Sequence, residues 1–162
     1  MSRLDSFIRR LEAQRACLGE AAALTRSLPG PVLELGLGAG RTYDHLRELL
    51  PEREIFVFER DVAVHPRHAP DPARLILGDF CETLAAARER FEARVALAHA
   101  DIGTWNEAQS TALAARIAPL LAPLMRDGGL VVSDQPMGSR WAPLSPPEEV
   151  SPGRYYMYKV LR

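Results

Sequence analysis

Glu34-Leu35-Gly36-Leu37-Gly38-Ala39-Gly40 closes a short apolar run, Pro31 to Leu35, and opens onto a segment of helical spacing from about Thr42 to Leu50. A strand that runs through glycines into a helix is the opening unit of a parallel α/β sheet. Glycines there let the backbone turn tightly and come close to a ligand, because no Cβ stands in the way. The helix beyond aims free amides and the positive end of its dipole into the same space, which favours a carboxylate or phosphate. A dinucleotide fold places its third glycine one residue later, where this chain carries Arg41, so the spacing tilts away from NAD.

Four further apolar runs follow: Ile55 to Phe58, Leu75 to Leu77, Val95 to Ala98 and Leu130 to Val132. Between them, Asp61 to Ala73 reads as a loop crossover and Glu82 to Phe91 as a surface helix. Thr104 and Glu107 form a capping box for a long alanine-leucine helix that Pro119 and Pro123 break or restart, and Asp127-Gly128-Gly129 ends that element. Upstream, Ser2 to about Ser27 carries Leu4, Phe7, Ile8, Leu11, Leu18, Ala21 and Leu24 at helical spacing, capped by Ser2 with Asp5. This makes residues 1–28 an N-terminal helical extension. Downstream, Met137 to Gly153 is rich in proline, serine and glycine, and Arg154 to Val160 reads as a last strand. The expected architecture is a single domain over residues 1–162, a three-layer α/β/α sandwich. Its mostly parallel sheet has the order 3-2-1-4-5, with an antiparallel last strand beyond the fifth.

A chain of 162 residues with 47% hydrophobic and 25% charged residues has the balance of one globular domain. A formal net charge of -1 gives no field to gather phosphate backbones, so no nucleic-acid partner is expected. Cys17 and Cys81 fit neither a metal-ligand spacing nor a disulfide framework, which suits a reducing cytoplasm. The N-terminus has no unbroken apolar run, so neither a signal peptide nor a membrane span is expected and the localisation reads as cytoplasmic.

Glu34, Glu59, Asp79, Asp101 and Asp134 each stand at or just after the carboxyl end of an apolar run, and open parallel sheets bind ligands at that edge. Acid-x-G-x-G-x-G is the form of the first motif of the class I S-adenosylmethionine-dependent methyltransferases, and the sequence resembles that family over roughly residues 30 to 135. The resemblance implies a Rossmann-like fold with S-adenosyl-L-methionine as cofactor. It gives the loop of Glu34, Gly36, Gly38 and Gly40, with Arg41 and Thr42 beside it, to the methionyl part of the cofactor. It gives Glu59, with Arg60, to the ribose hydroxyls, and Gly78, Asp79 and Phe80 to the adenine. It places His99, Ala100, Asp101 and Trp105 beside the sulfonium. Beyond Asp134 the chain departs from the family: one strand is legible where a helix and a reversed hairpin are usual, so the fold reads as C-terminally shortened.

The resemblance implies an enzyme that moves a methyl group from S-adenosyl-L-methionine to a small-molecule methyl acceptor. His99 or Asp101 is the candidate for taking a proton from a hydroxyl or amine acceptor, with a strand-packing role as the alternative for His99. Catechol-type relatives would put a divalent ion at Asp101, Asp134 and Gln135. This chain has Gln135 where they have asparagine and Thr104 where they have a lysine, so Asp134 is read as a strand-end cap and no metal is assigned. A non-catalytic cofactor-binding module and a nicotinamide-dependent oxidoreductase stay open as other readings. The arginines of the first helix read as its wet face, the tyrosines near Tyr155 as pocket wall or sheet packing, and an apolar N-terminal helix on a small body is compatible with a homo-oligomer.

Overall fold

A computed structural model of the chain describes all 162 residues. Helix α1 spans Arg3–Leu24 and is followed by β1 (Val32–Leu35), α2 (Arg41–Leu49) and β2 (Ile55–Glu59). Then come β3 (Leu75–Leu77), α3 (Phe80–Phe91), β4 (Val95–Ala100), α4 (Glu107–Leu121), β5 (Met125–Ser133), β6 (Ala142–Leu144) and β7 (Tyr156–Lys159). One seven-stranded sheet has the order β3-β2-β1-β4-β5-β7-β6, with β1 to β5 parallel and β7 antiparallel to both its neighbours.

The expected strand order therefore holds, with one addition. Ala142–Leu144 pairs with β7, so the reversed hairpin of the fold is present and only the helix before it is missing. Three residues containing Pro143 give too little alternation to be recognised as a strand; Pro143 fits because the strand is at the sheet edge. The crossover from β2 to β3 has two short 3-10 turns, Pro66–His68 and Pro72–Arg74, each opened by a proline, whose missing N–H is unpaired at that position anyway.

Three local expectations change. Asn106, not Thr104, caps α4 by accepting from the Gln109 amide at 3.0 Å, while Thr104 is occupied with Ser110 and the Asn106 amide. Pro119 does not break α4, because so near the helix end its missing N–H costs only the bond to the Ala115 carbonyl. Asp127-Gly128-Gly129 lies inside β5, where the register with β4 slips between Val95 and Leu97. The Ser2–Asp5 capping box at the head of α1 forms as expected.

Strand residues alternate between the two faces of the sheet. Leu33, Leu35, Phe56, Phe58 and Val131 join Leu84, Phe91, Ile117 and Leu121 in the core beneath α3 and α4. Val32, Val57, Leu97 and Val132 join Cys17, Leu18, Ala21 and Leu46 beneath α1 and α2. Both faces of the parallel strands are thus covered, which is why they are continuous apolar runs. The consequence for the site is that Glu34 and His99, one residue out of phase with Leu33 and Ala98, both face α1 and α2.

Candidate functional site at the carboxyl edge of the sheet

The glycine loop departs from β1 with Gly36 at φ 94, Gly38 at φ 50 and Gly40 at φ 79. These positive φ values serve different ends. A Cβ on Gly36 would lie 2.4 Å from the Asp101 carbonyl, so that glycine lets the ends of β1 and β4 touch. A Cβ on Gly38 would meet nothing within 4 Å: it points into open space at the sheet edge.

The Glu59 carboxylate, at the end of β2, reaches across to this loop. Its Oε2 accepts from the Leu37 amide at 2.7 Å and the Gly38 amide at 3.3 Å; its Oε1 accepts from Arg60 at 2.7 Å and Asp61 at 3.4 Å. The short pair fixes the carboxylate, and the long pair leaves lone pairs that stronger donors can take. Next to it, Gly78 donates to the Glu59 carbonyl at 3.0 Å, Asp79 caps α3 through the Cys81 amide at 2.8 Å, and Arg60 stands 3.4 Å from Asp79. The Cys81 amide holds the Asp79 carboxyl below the usual carboxylate value. Phe80 is half-buried at the start of α3. The edge thus offers, in one line, an open glycine turn, a fixed carboxylate and a capped aspartate beside an aromatic ring.

Several residues assigned to the cofactor lie beneath this edge instead of on it. Glu34 and His99 are register partners on β1 and β4, both fully buried, with His99 Nδ1 2.7 Å from Glu34. Glu34 also accepts from the Thr42 hydroxyl, and Thr42 is buried too. The second ring nitrogen of His99 lies 2.7 Å from the Tyr155 hydroxyl, which in turn accepts from Gln14 at 2.9 Å. Glu34, Thr42 and His99 therefore have no free polar atom to offer a ligand, and His99 cannot act as a base on an acceptor. Ala100 is fully buried and joins the opposite core under α3 and α4. Trp105 is 95% exposed, in the loop after β4, and Arg41 is exposed on the first turn of α2.

Burial alone would push the His99 imidazolium down, but the adjoining Glu34 carboxylate, with Asp101 and Asp134 farther off, lifts it above its ordinary value. Burial holds the Tyr155 phenol well above its usual range, with Asp101 adding to the effect, so the phenol stays neutral.

Asp101, the residue just after β4, remains accessible. Helix α1 reaches it from above: Arg10 Nη2 is 2.5 Å from Oδ1 and Gln14 Nε2 donates to Oδ2 at 3.1 Å. The same guanidinium lies 3.7 Å from Asp134, whose carboxylate caps the Ile102 and Gly103 amides at 3.1 and 2.8 Å. Burial raises the Asp134 carboxyl and the charge of Asp101 adds to it, with the Ile102 amide, Gln135 and Arg10 opposing. Asp134 is the loop cap the sequence suggested, and Arg10 occupies the space between the two aspartates.

Arg10 and Gln14 are what the sequence reading missed. The signal was available as a phase: Arg10, Gln14, Cys17, Leu18 and Ala21 recur at the spacing of one helix face, and Gln14, Cys17, Leu18 and Ala21 are all buried. Two polar residues in register with a buried stripe have to meet polar partners.

A Rossmann-like sheet with a glycine turn after β1, an acid at the end of β2 and acids just after β3, β4 and β5 defines a class of α/β proteins that bind ligands at the carboxyl edge of the sheet. The particular family follows from comparison: a model of the S-adenosyl-L-methionine methyltransferase family matches residues 1–160, and the chain belongs to that family. The crystal structure of an S-adenosyl-L-methionine methyl transferase from Silicibacter pomeroyi DSS-3 is 49% identical in sequence, with a TM-score of 0.94 and 98% of each chain covered. Two more distant structures share the fold. The mycinamycin-pathway methyltransferase MycE, crystallised with Mg and SAH, is 18% identical at a TM-score of 0.52 over 85% of this chain and 43% of its own. The antibiotic-resistance methyltransferase Kmr is 14% identical at 0.52, over 91% and 93% of the two chains. No curated protein sequence matches. The protein is a methyltransferase by family, and its cofactor is S-adenosyl-L-methionine. No helix is long and apolar enough to cross a membrane.

Proposed function

We propose that the chain transfers the methyl group of S-adenosyl-L-methionine to a small-molecule acceptor that approaches between α1 and the loop after β4. The observation that carries this is the approach of Glu59 to the Leu37 amide at 2.7 Å, which joins the two halves of a cofactor groove at the sheet edge while Gly38 leaves its middle open. Glu59 suits the ribose diol, since a carboxylate accepts two hydroxyl hydrogens at once. The Gly36–Gly40 turn suits the amino-acid tail, and Asp79 with Phe80 suits the adenine. Glu34, Thr42 and His99 act from below by fixing the turn.

Bound S-adenosyl-L-methionine supplies an electrophilic methyl on a sulfonium, so the protein's main task is to hold a nucleophile in line at close range. Asp101 is the group placed for this. Arg10 and Gln14 pin both of its oxygens, yet each keeps a lone pair, so an acceptor hydroxyl or amine can hydrogen-bond to it and leave its proton there. Helix α1, which brings Arg10 and Gln14, forms one wall beside this carboxylate.

The test is S-adenosylhomocysteine formation with a panel of small metabolites, run beside calorimetric titration of the cofactor. Wild-type protein should turn over at least one acceptor, and Asp101→Asn should cut turnover while leaving cofactor affinity within about threefold, well under the ~1.4 kcal/mol of a tenfold change. Binding of NAD in preference to the sulfonium nucleoside would overturn the proposal.

A further inference from the structure

A cleft of about 630 Å³ lies beside Asp101, between the first two turns of α1, the loop after β4, the end of β5 and the Gly153–Arg154 turn. This volume is in the range of sites that enclose a small organic ligand. Three guanidinium groups line it, Arg3, Arg10 and Arg154, against one carboxylate, Asp134. That carboxylate is already satisfied by the Ile102 and Gly103 amides. Arg10 is spent on the two aspartates. Arg3 and Arg154 are not: neither has an acidic partner, and the only side-chain bond of Arg154 is to the Ser6 hydroxyl at 3.1 Å. The remaining wall is aromatic, with Trp105 95% and Phe7 45% exposed to the cleft or to solvent.

We propose that this cleft is the acceptor site and that the acceptor is a planar apolar molecule ending in an anionic group, carboxylate or phosphate. The anion sits between Arg3 and Arg154, the frame lies against Trp105 and Phe7, and the other end is directed to Asp101. This rests on the methyl-transfer reading for its direction, but not for its chemistry. Guanidinium forks bind carboxylate or phosphate by paired hydrogen bonds, and two of them without partners in one cleft are an anion site. Large aromatic rings left in water beside them gain from covering by a flat apolar body. The net charge of -1 conceals this local basic ground, which is why composition gave no hint of it.

The experiment uses the full chain saturated with S-adenosylhomocysteine and three probes of one shape: 1-naphthoate, 1-naphthyl phosphate and the neutral 1-naphthamide. Binding is read by ligand-observed saturation-transfer NMR and by quenching of tryptophan emission, to which exposed Trp105 contributes and buried Trp141 gives a constant background. At least one anionic probe should bind tenfold or more tightly than the amide. That preference should disappear in Arg3→Ala/Arg154→Ala and survive in Arg3→Lys/Arg154→Lys. Trp105→Ala should weaken all three probes alike. The ratio of naphthoate to naphthyl phosphate affinity decides which anion the site takes. Equal binding of amide and acids, anionic preference that survives loss of both arginines, or no binding by any probe would overturn the proposal. If S-adenosylhomocysteine fails to bind while the anionic preference persists in its absence, the methyl-transfer reading falls and the anion site stands. Arg3 and Trp105 are exposed and Arg154 is half-buried, and circular dichroism verifies that each variant keeps its fold.

Discussion

Gly36 and Gly38 sit two residues apart in the same turn, both at positive φ, yet the structure assigns them different costs when a methyl group is added. An L-residue forced to the left-handed region loses ~1–2 kcal/mol, and this applies to alanine at either position. At Gly38 nothing more is added, because the new Cβ has no neighbour within 4 Å. Gly38→Ala should therefore lower Tm by only about 2–8 °C, at ~2–4 °C per kcal/mol for a chain of this size. At Gly36 the new Cβ stands 2.4 Å from the Asp101 carbonyl, a backbone atom, so β1 and β4 must part. Overpacking of that kind adds about 1–3 kcal/mol, and Gly36→Ala should lower Tm about twice as far as Gly38→Ala or more. Cofactor affinity should order the two variants the other way per degree lost. The Gly38 methyl enters the open groove proposed for the cofactor, so S-adenosylhomocysteine should bind at least ~10-fold more weakly, a loss of ~1.4 kcal/mol or more. Differential scanning fluorimetry and calorimetric titration on the same preparations give both numbers. Undiminished affinity in a well-folded Gly38→Ala protein would refute the reasoning, since the space beside Gly38 would then not be the cofactor's.

Further outcomes follow from the buried network. Glu34→Ala strands His99 and Thr42 without their acceptor in a dry core and should cost about 3–5 kcal/mol in chemical denaturation, with circular dichroism as the readout. The pH dependence has a definite sign. The folded-state pKa of His99 is raised, so its contribution is fully present below the unfolded value near ~6.5 and is lost as pH rises through the raised value. Glu34→Gln removes the carboxylate that raises it, so the Tm gap to wild type should be wider at pH 5.5 than at pH 9. Arg10→Ala takes away the cation between Asp101 and Asp134, and turnover on the acceptor panel should fall while cofactor affinity in calorimetric titration is kept. Burial, with Glu149 adding to it, pushes the Cys17 thiol up to about 11. Iodoacetamide at pH 8 should therefore label Cys81 and spare Cys17 until the protein is denatured, as peptide mass spectrometry would show.

The sheet and the residues at its carboxyl edge were legible in the sequence because they depend on local rules. Apolar runs buried on both faces declare parallel strands, and an acid-glycine turn between a strand and a helix needs only neighbours along the chain to be understood. Glu59, Gly38 and Asp79 were therefore placed at the edge from sequence, and the structure puts them there together. The small edge strand Ala142–Leu144 was not legible, because three residues with a proline carry no period.

What only the tertiary structure decided is which of the strand-end residues face a ligand. Register between β1 and β4 sets Glu34 against His99, and the alternation of the strands turns both inward to α1 and α2. No reading along the chain contains that register, since it is fixed by which strands are neighbours in the sheet. The same holds for Arg10 and Gln14, which are some ninety residues from Asp101 in sequence and hydrogen-bonded to it in space. Sequence determined where the glycine turn is and what it is made of. Long-range packing determined that the histidine is a buried support, that Asp101 is the accessible acid, and that the first helix supplies the guanidinium and the amide beside it.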